Sequence, residues 1–223
     1  MSVGAIIPAA GSGSRMGGAR KPFLALAGKP LLQYCLDVFF AVPEVEQIVI
    51  ALPAAELTSP PAWLQHERVL LVAGGAQRAD SVRAGLAALP PGIDIVVVHD
   101  AARPLLEPAM IRAVVELART GVSATVALQV TDTLHHVDDD LRIIETPDRA
   151  KFWRAQTPQA FPRNVLEQAY ARSPDVSAAT DEAGLVARAG FPVRVVPGDV
   201  RNIKITTPGD VALAEAAFAQ RLL

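Results

Sequence analysis

Val3-Gly4-Ala5-Ile6-Ile7-Pro8-Ala9-Ala10-Gly11-Ser12-Gly13-Ser14-Arg15-Met16 is an apolar run that turns into a loop of small residues, and Lys21 follows shortly after. Val3 to Ile7 reads as a strand buried on both faces, because its apolar character is continuous rather than alternating. Glycine and alanine put no bulk between backbone N–H groups and an approaching anion. Arg15 and Lys21 then supply the positive charge that a polyphosphate needs. The stretch therefore predicts a nucleoside triphosphate bound at the end of an opening β-strand. Two familiar phosphate motifs are excluded. Gly13 and Gly18 have Walker spacing, but Ala19 stands where the lysine belongs. Gly11 and Gly13 begin a dinucleotide fingerprint that meets Met16 at its last glycine.

Working outward, the same kind of run recurs at Gln47 to Leu52, Val69 to Val72, Ile95 to Val98 and Ala124 to Leu128. Helical stretches at Pro30 to Ala41, Arg78 to Ala88 and Pro108 to Thr120 separate them. This alternation implies a Rossmann-like, doubly wound α/β fold with a mostly parallel sheet. The rhythm breaks after Val130. The polar segment 132–146, with His135, His136 and Asp138-Asp139-Asp140, predicts a projecting β-hairpin arm with its aspartates near the tip, at about 131–155. Such an arm commonly embraces a second subunit, so a homodimer is expected. The two histidines lack the spacing of a zinc or EF-hand site. Thr180-Asp181-Glu182 starts a further helix to about Ala189, Val193 to Val196 is a further strand, and Thr207-Pro208-Gly209-Asp210 opens a last helix whose packed face is expected at Ala212, Leu213, Ala216, Ala217 and Leu223.

Composition narrows the setting. The 223 residues are 51% hydrophobic, which suits one α/β domain with a large core. The balance of 21 basic and 23 acidic residues argues against a nucleic-acid partner or a polybasic membrane anchor. Cys35 is the single cysteine, so no internal disulfide forms and a reducing cytoplasm is the simplest location. No signal peptide and no membrane-length apolar run is visible.

Three further clusters carry chemistry. Gly74-Gly75-Ala76-Gln77-Arg78-Ala79-Asp80-Ser81 follows a strand and opens a helix, with Ser81 able to meet a base or sugar, although ordinary capping explains it equally. Val98-His99-Asp100-Ala101-Ala102-Arg103-Pro104 puts Asp100 at the carboxyl end of a central strand, where ligands of open α/β sheets bind. A carboxylate beside triphosphate is a natural Mg²⁺ ligand, while an Asp100–Arg103 ion pair closing a turn is the plainer alternative. Asn202-Ile203-Lys204 offers a lysine just before a capped helix, within reach of a phosphate.

These motifs, with Asp132-Thr133, Asp148-Arg149, Gln156-Thr157-Pro158-Gln159 and Thr180-Asp181-Glu182-Ala183, run in one order over nearly the whole chain. The ordered set resembles the 2-C-methyl-D-erythritol 4-phosphate cytidylyltransferase family of the non-mevalonate isoprenoid pathway. The resemblance implies a fold of nucleotide-diphospho-sugar transferase type and an Mg²⁺-dependent enzyme that transfers CMP from CTP to a sugar-alcohol phosphate, with release of pyrophosphate. It implies that Arg15 and Lys21 hold the triphosphate and stabilise charge at the α-phosphate. Ala9, Ala10, Gly11, Gly75 and Ser81 would bind CTP, with backbone groups reading cytosine. Asp100, Arg103, Thr133, Arg149, Thr157 and Lys204 would surround the acceptor, Thr133 and Arg149 serving the neighbouring subunit's site. The family usually has Gln after the lysine, where this chain has Pro22. Ribitol-5-phosphate cytidylyltransferases share the fold, but Arg78-Ala79-Asp80-Ser81-Val82 and Asp148-Arg149 favour methylerythritol phosphate. A non-catalytic CTP-binding module is the reading from another class, and Arg15, Lys21 and Asp100 together argue against it. The chain ends soon after the last family element, so one catalytic domain is expected.

Overall fold

The structure is a computed structural model that describes residues 1–11, 21–173, 176 and 179–221. Its opening strand β1 (Ser2–Pro8) is followed by a short hairpin, β2 (Ala25–Leu26) and β3 (Lys29–Pro30), and then by α1 (Leu31–Phe40). Next come β4 (Val45–Leu52), β5 (Val69–Ala73), α2 (Arg78–Ala88), β6 (Ile93–Val98), α3 (Pro108–Arg119) and β7 (Ser123–Gln129). The arm carries β8 (His136–Val137) and β9 (Ile143–Glu145). The chain then returns through β10 (Trp153–Pro162), α4 (Arg163–Arg172), α5 (Glu182–Arg188), β11 (Val193–Pro197) and α6 (Pro208–Arg221).

The seven-stranded sheet has the order β11-β7-β10-β6-β1-β4-β5, so β6 is its middle strand. β1 pairs in parallel with both β4 and β6, and β11 pairs in parallel with β7. Alternation along β1 serves two cores at once. Val3, Ala5 and Ile7 face α1 and α3, whereas Ile6 faces the layer built from α2, α4 and α5. Both faces are thus covered, which is why these strands read as uninterrupted apolar runs.

β10 departs from the sequence expectation. The residues from Trp153 to Gln159 read as a continuation of the arm, yet they form a long strand inserted antiparallel between β7 and β6. Gln156, Thr157 and Gln159 are buried in it. Their polar groups find partners on Thr125, Asn202 and Asp181, so a strand with three polar residues among its six buried positions sits inside the sheet. The arm's own ladder is correspondingly short. Its turn is closed by Asp138 Oδ1, which accepts from the Asp140 and Arg142 backbone N–H groups, and this puts the aspartates at the tip.

The helix starts follow their sequence signals. Asp181 caps α5 by accepting from Gly184 N–H at 2.9 Å, and Thr207 Oγ accepts from Asp210 N–H at 3.3 Å at the start of α6. The packed face of α6 differs from the expected one. Val211, Ala214, Ala217 and Phe218 meet Leu26, Leu31, Leu105 and Ile205, while Leu213 is exposed; Leu223 lies outside the described residues. The neighbouring hairpin, rather than the count of apolar residues, selects that face. Among the described residues no helix is long and apolar enough to cross a membrane.

Candidate functional site

The site is assembled at the carboxyl ends of β1, β4 and β6. Ala9 N–H donates to Ala51 O at 2.8 Å, which extends the β1–β4 pairing one residue past the strand. Gly74 N–H donates to Leu52 O at 2.8 Å. A methyl group on Gly74 would overlap Ala10 Cβ, and one on Gly75 would overlap Asp80 Cβ. Glycine is therefore what lets the second loop lie flush against the first. Gly75 N–H donates to Ser81 Oγ at 3.2 Å, and the Ser81 hydroxyl donates to Gln77 O at 3.2 Å. Ser81 consequently holds the loop, and toward a base it offers a lone pair rather than its proton. Ala9, Ala10, Gly75 and Ser81 are thus brought together; Gly11 is exposed at the loop's start. Arg15 lies outside the described residues. Lys21 begins a short 3₁₀ turn, Lys21–Phe23, in which Pro22 is buried, and only its backbone is described.

Asp100 lies just beyond β6, and it is buried. Arg78 Nε–H donates to its Oδ1 at 2.8 Å, and Lys204 Nζ donates to its Oδ2 at 2.7 Å. The other side of Arg78 reaches Glu182, with Nη1 at 2.8 Å from both carboxylate oxygens. Burial pushes the Asp100 carboxyl up, but Arg78 and Lys204 outweigh it and hold the group well below the usual carboxylate range. Burial also pushes Glu182 up, with Arg78 pulling against it. Burial alone would weaken the Arg78 charge, yet Asp100 and Glu182 together hold its proton more tightly than usual.

Thr157 sits behind Asp100. Its Oγ1 accepts from Asp100 N–H at 3.0 Å and lies 3.1 Å from His99 Nδ1. His99 Nε2 lies 3.1 Å from Arg103 O. A carbonyl oxygen can only accept, so Nε2 carries the ring proton and Nδ1 receives the proton of Thr157. The ring is neutral, and burial lowers its pKa to about 4. The Thr157 proton is spent on His99, which leaves the hydroxyl only a lone pair for an acceptor. Arg103 makes no ion pair with Asp100. Its Nη1 donates to Asn202 O at 2.8 Å and its Nη2 to Ala155 O at 3.2 Å. Asn202 Nδ2 in turn donates to Thr157 O at 2.9 Å, and Ile205 N–H to Ala102 O at 2.8 Å. Arg103 therefore clamps the segment that presents Lys204. Thr133 and Arg149 remain on the arm, where Arg149 Nη1 donates to Thr131 O at 2.7 Å, and neither is linked to the Asp100 cluster by a hydrogen bond or ion pair among the described residues.

Both oxygens of Asp100 accept from cations, Arg78 and Lys204, so a Mg²⁺ ion held by this carboxylate beside a triphosphate would have to displace one of them. Arg78 and Glu182 are the residues to which sequence reasoning assigned no site role. Both lie inside recognisable motifs, but their contact spans 104 positions, and no local spacing announces it.

His99 gives a testable pH dependence. An unfolded histidine binds its proton near 6.5, and this one does so only near about 4. The unfolded state therefore holds more protons in that window, and stability falls as pH drops through it, by roughly 1.4 kcal/mol per pH unit for this group. Urea unfolding at pH 7 and pH 5 is expected to show a steeper loss in the wild type than in His99→Gln. Equal losses would contradict a buried neutral imidazole.

A doubly wound sheet with its charged cluster at the carboxyl ends of the central strands, and a small-residue loop beside it, defines a nucleotide-using α/β enzyme. The family model described as IspD, 2-C-methyl-D-erythritol 4-phosphate cytidylyltransferase, matches residues 3–220. Proteins of that name from Deinococcus radiodurans and Nocardia farcinica are 46% and 45% identical to the chain, covering 95% and 99% of it and 88% and 95% of their own lengths. The crystal structure of 4-diphosphocytidyl-2C-methyl-D-erythritol synthase from Anaerococcus prevotii superposes with a TM-score of 0.86 at 30% identity, covering 99% of this chain and 96% of that one. The Thermus thermophilus 2-C-methyl-D-erythritol 4-phosphate cytidylyltransferase gives 0.81 at 34% identity, covering 97% and 98%. The chain belongs to the 2-C-methyl-D-erythritol 4-phosphate cytidylyltransferase family and is a nucleotidyltransferase.

Proposed function

We propose that this protein transfers CMP from CTP to 2-C-methyl-D-erythritol 4-phosphate, giving CDP-methylerythritol and pyrophosphate. The observation that carries the reading is the Arg78–Asp100–Lys204 cluster beside the Ala10–Gly74 seam, in a chain of this family. An oxygen of the acceptor phosphate attacks the α-phosphorus of CTP. The bond to the bridging oxygen of the β-phosphate breaks, and pyrophosphate leaves with that electron pair. The nucleophile is already an anion, so no proton has to be removed. Positioning and charge stabilisation do the catalysis. Arg15 and Lys21 stabilise the α-phosphate, the 9–11 and 74–81 loops hold the nucleotide, and Lys204 and Arg149 hold the acceptor phosphate. Mg²⁺ enters as part of the substrate, coordinated by triphosphate oxygens, in keeping with its preference for phosphate and water ligands.

Pyrophosphate release from MgCTP tests the reading, with methylerythritol 4-phosphate and ribitol 5-phosphate as parallel acceptors. A clear preference for the first is expected. Preference for ribitol phosphate overturns the assignment of acceptor, and CTP binding without turnover on either overturns catalysis.

The reading includes a homodimer formed through the arm. Leu141, Ile143 and Ile144 are exposed on it by 60–80%, with Phe152 and Trp153 partly exposed at its base, an apolar surface that a second copy would cover. Sedimentation should show a dimer for the wild type and monomers for Ile143→Asp/Ile144→Asp, and a monomeric wild type would refute it. A cytoplasmic location is supported by Cys35, a free and buried thiol.

A further inference from the structure

We propose that Glu182, acting through Arg78, is a positioning residue for Lys204, and so for the acceptor phosphate that Lys204 holds; this rests on the reading of Lys204 given above. Four charged groups form one chain, Glu182–Arg78–Asp100–Lys204, in which each contact is 2.7 to 2.8 Å. Its deep end is rigid and its outer end is not. Glu182 is buried at the first residue of α5. The residues on either side of it are tied to the sheet by one side chain, Gln159, whose Nε2 donates to Asp181 Oδ2 at 2.7 Å and whose Oε1 accepts from Ala183 N–H at 3.0 Å. Gln159 is itself held by Thr125 on β7, at 3.0 Å.

From that anchor, order passes outward through the plane of the guanidinium. A planar fork bound at Nη1 by both oxygens of one carboxylate, and at Nε by another, has no rotation left. Asp100 then has Oδ1 fixed by Arg78 and its backbone N–H fixed by Thr157, which aims Oδ2 at Lys204. Lys204 is 41% exposed, and Asp100 is its one ion-pair partner among the described residues. Its long flexible stem is therefore ordered at the tip by Asp100 alone. Removing the Glu182 charge frees Arg78, which has a path to solvent, to leave the Asp100 face. The lysine head would then sample other positions while the backbone that carries it stays clamped by Arg103 and Asn202.

The placement of Glu182 excludes direct contact with either substrate as the explanation, since it is 1% exposed beneath Arg78 and Tyr170. The predicted signature is selective. Glu182→Gln keeps the shape of the side chain and removes its charge. It should raise KM for the acceptor phosphate roughly three- to thirtyfold, within the range of energetic coupling between residues of one network, and leave KM for CTP within about twofold. Glu182→Asp, which restores the charge on a shorter stem, should recover part of the loss. Lys204→Met should raise the acceptor KM further, and the Glu182→Gln/Lys204→Met pair should be no worse than Lys204→Met alone, because a positioning residue has nothing to position once the lysine is gone.

Far-UV circular dichroism and melting temperature are followed in parallel to separate loss of fold. Lys204→Met without effect on the acceptor KM overturns the reading of the lysine, and the proposal with it. If Lys204→Met is impaired but Glu182→Gln is not, or if both KM values rise together in Glu182→Gln, or if the effects of the two substitutions add, the proposal alone is overturned.

Discussion

Replacing Arg78 by methionine is expected to lower the unfolding free energy at pH 7 by roughly 3–5 kcal/mol, the usual consequence of removing one partner from a buried ionic network. Arg78 lies between two buried carboxylates, and Glu182 has no other cation among the described residues. Methionine fills much of the volume but leaves Glu182 charged in an apolar surround, with only the Tyr170 hydroxyl 3.3 Å away. Set against a typical total stability of about 5–15 kcal/mol, that loss takes the domain close to unfolding. The pH dependence identifies the cause. Burial already pushes the Glu182 carboxyl up, and without Arg78 nothing opposes the shift. A carboxyl whose pKa is raised on folding contributes stability that is present below its unfolded pKa and lost as pH rises through the folded one. The deficit of Arg78→Met should therefore be largest at pH 7 and shrink toward pH 5. Urea unfolding at both values tests this, and a deficit that does not vary with pH would point to lost packing instead. Adding Glu182→Leu to Arg78→Met should restore much of the stability, since an apolar pair can replace a buried ion pair at little cost.

How far the molecule could be read beforehand depended on whether its signals were local. Continuous apolar runs located β1, β4, β5, β6 and β7, and in β1, β4 and β6 the run is continuous because the residues face two apolar layers. α2 spans Arg78–Ala88, the bounds read from the sequence between two apolar runs. The placement of Asp100 after the middle strand followed from strand counting, and the structure keeps it there. β10 was illegible because three of its six buried positions are Gln156, Thr157 and Gln159, which are satisfied by partners 22 to 58 positions away. Polarity in sequence usually marks a loop, and only the assembled network shows that these groups are paired. The same cause hid the role of Arg78 and Glu182. It also turned Arg103 from an expected partner of Asp100 into a clamp on the Lys204 segment, since the carbonyls it serves belong to Asn202 and Ala155.

Lys21→Ala carries the largest expected effect on catalysis, a fall in kcat of roughly 10²–10³, the magnitude typical of losing one group that stabilises charge in the transition state. His99 has both nitrogens engaged and is neutral, both Asp100 oxygens accept from cations, and burial pushes the Cys35 thiol far up. None of these groups is poised to take a proton, and the ionised acceptor gives none up. What remains to be supplied is positive charge where it accumulates on the α-phosphate. Lys21 is the lysine to which the family resemblance assigns that charge, and its turn is anchored by buried Pro22 and by Phe23, whose ring meets Trp63 edge-on at 6.1 Å. An interaction made only in the transition state lowers kcat and kcat/KM together, whereas one that merely binds CTP raises KM and spares kcat. Lys21→Ala should show the first pattern, with circular dichroism and melting temperature unchanged, and Lys21→Arg should keep part of the rate because the charge survives in a different shape. Turnover near the wild-type value in Lys21→Ala would remove this lysine from the chemistry. Arg15 would then have to carry the charge alone, and Arg15→Ala should in that case abolish what Lys21→Ala had left intact.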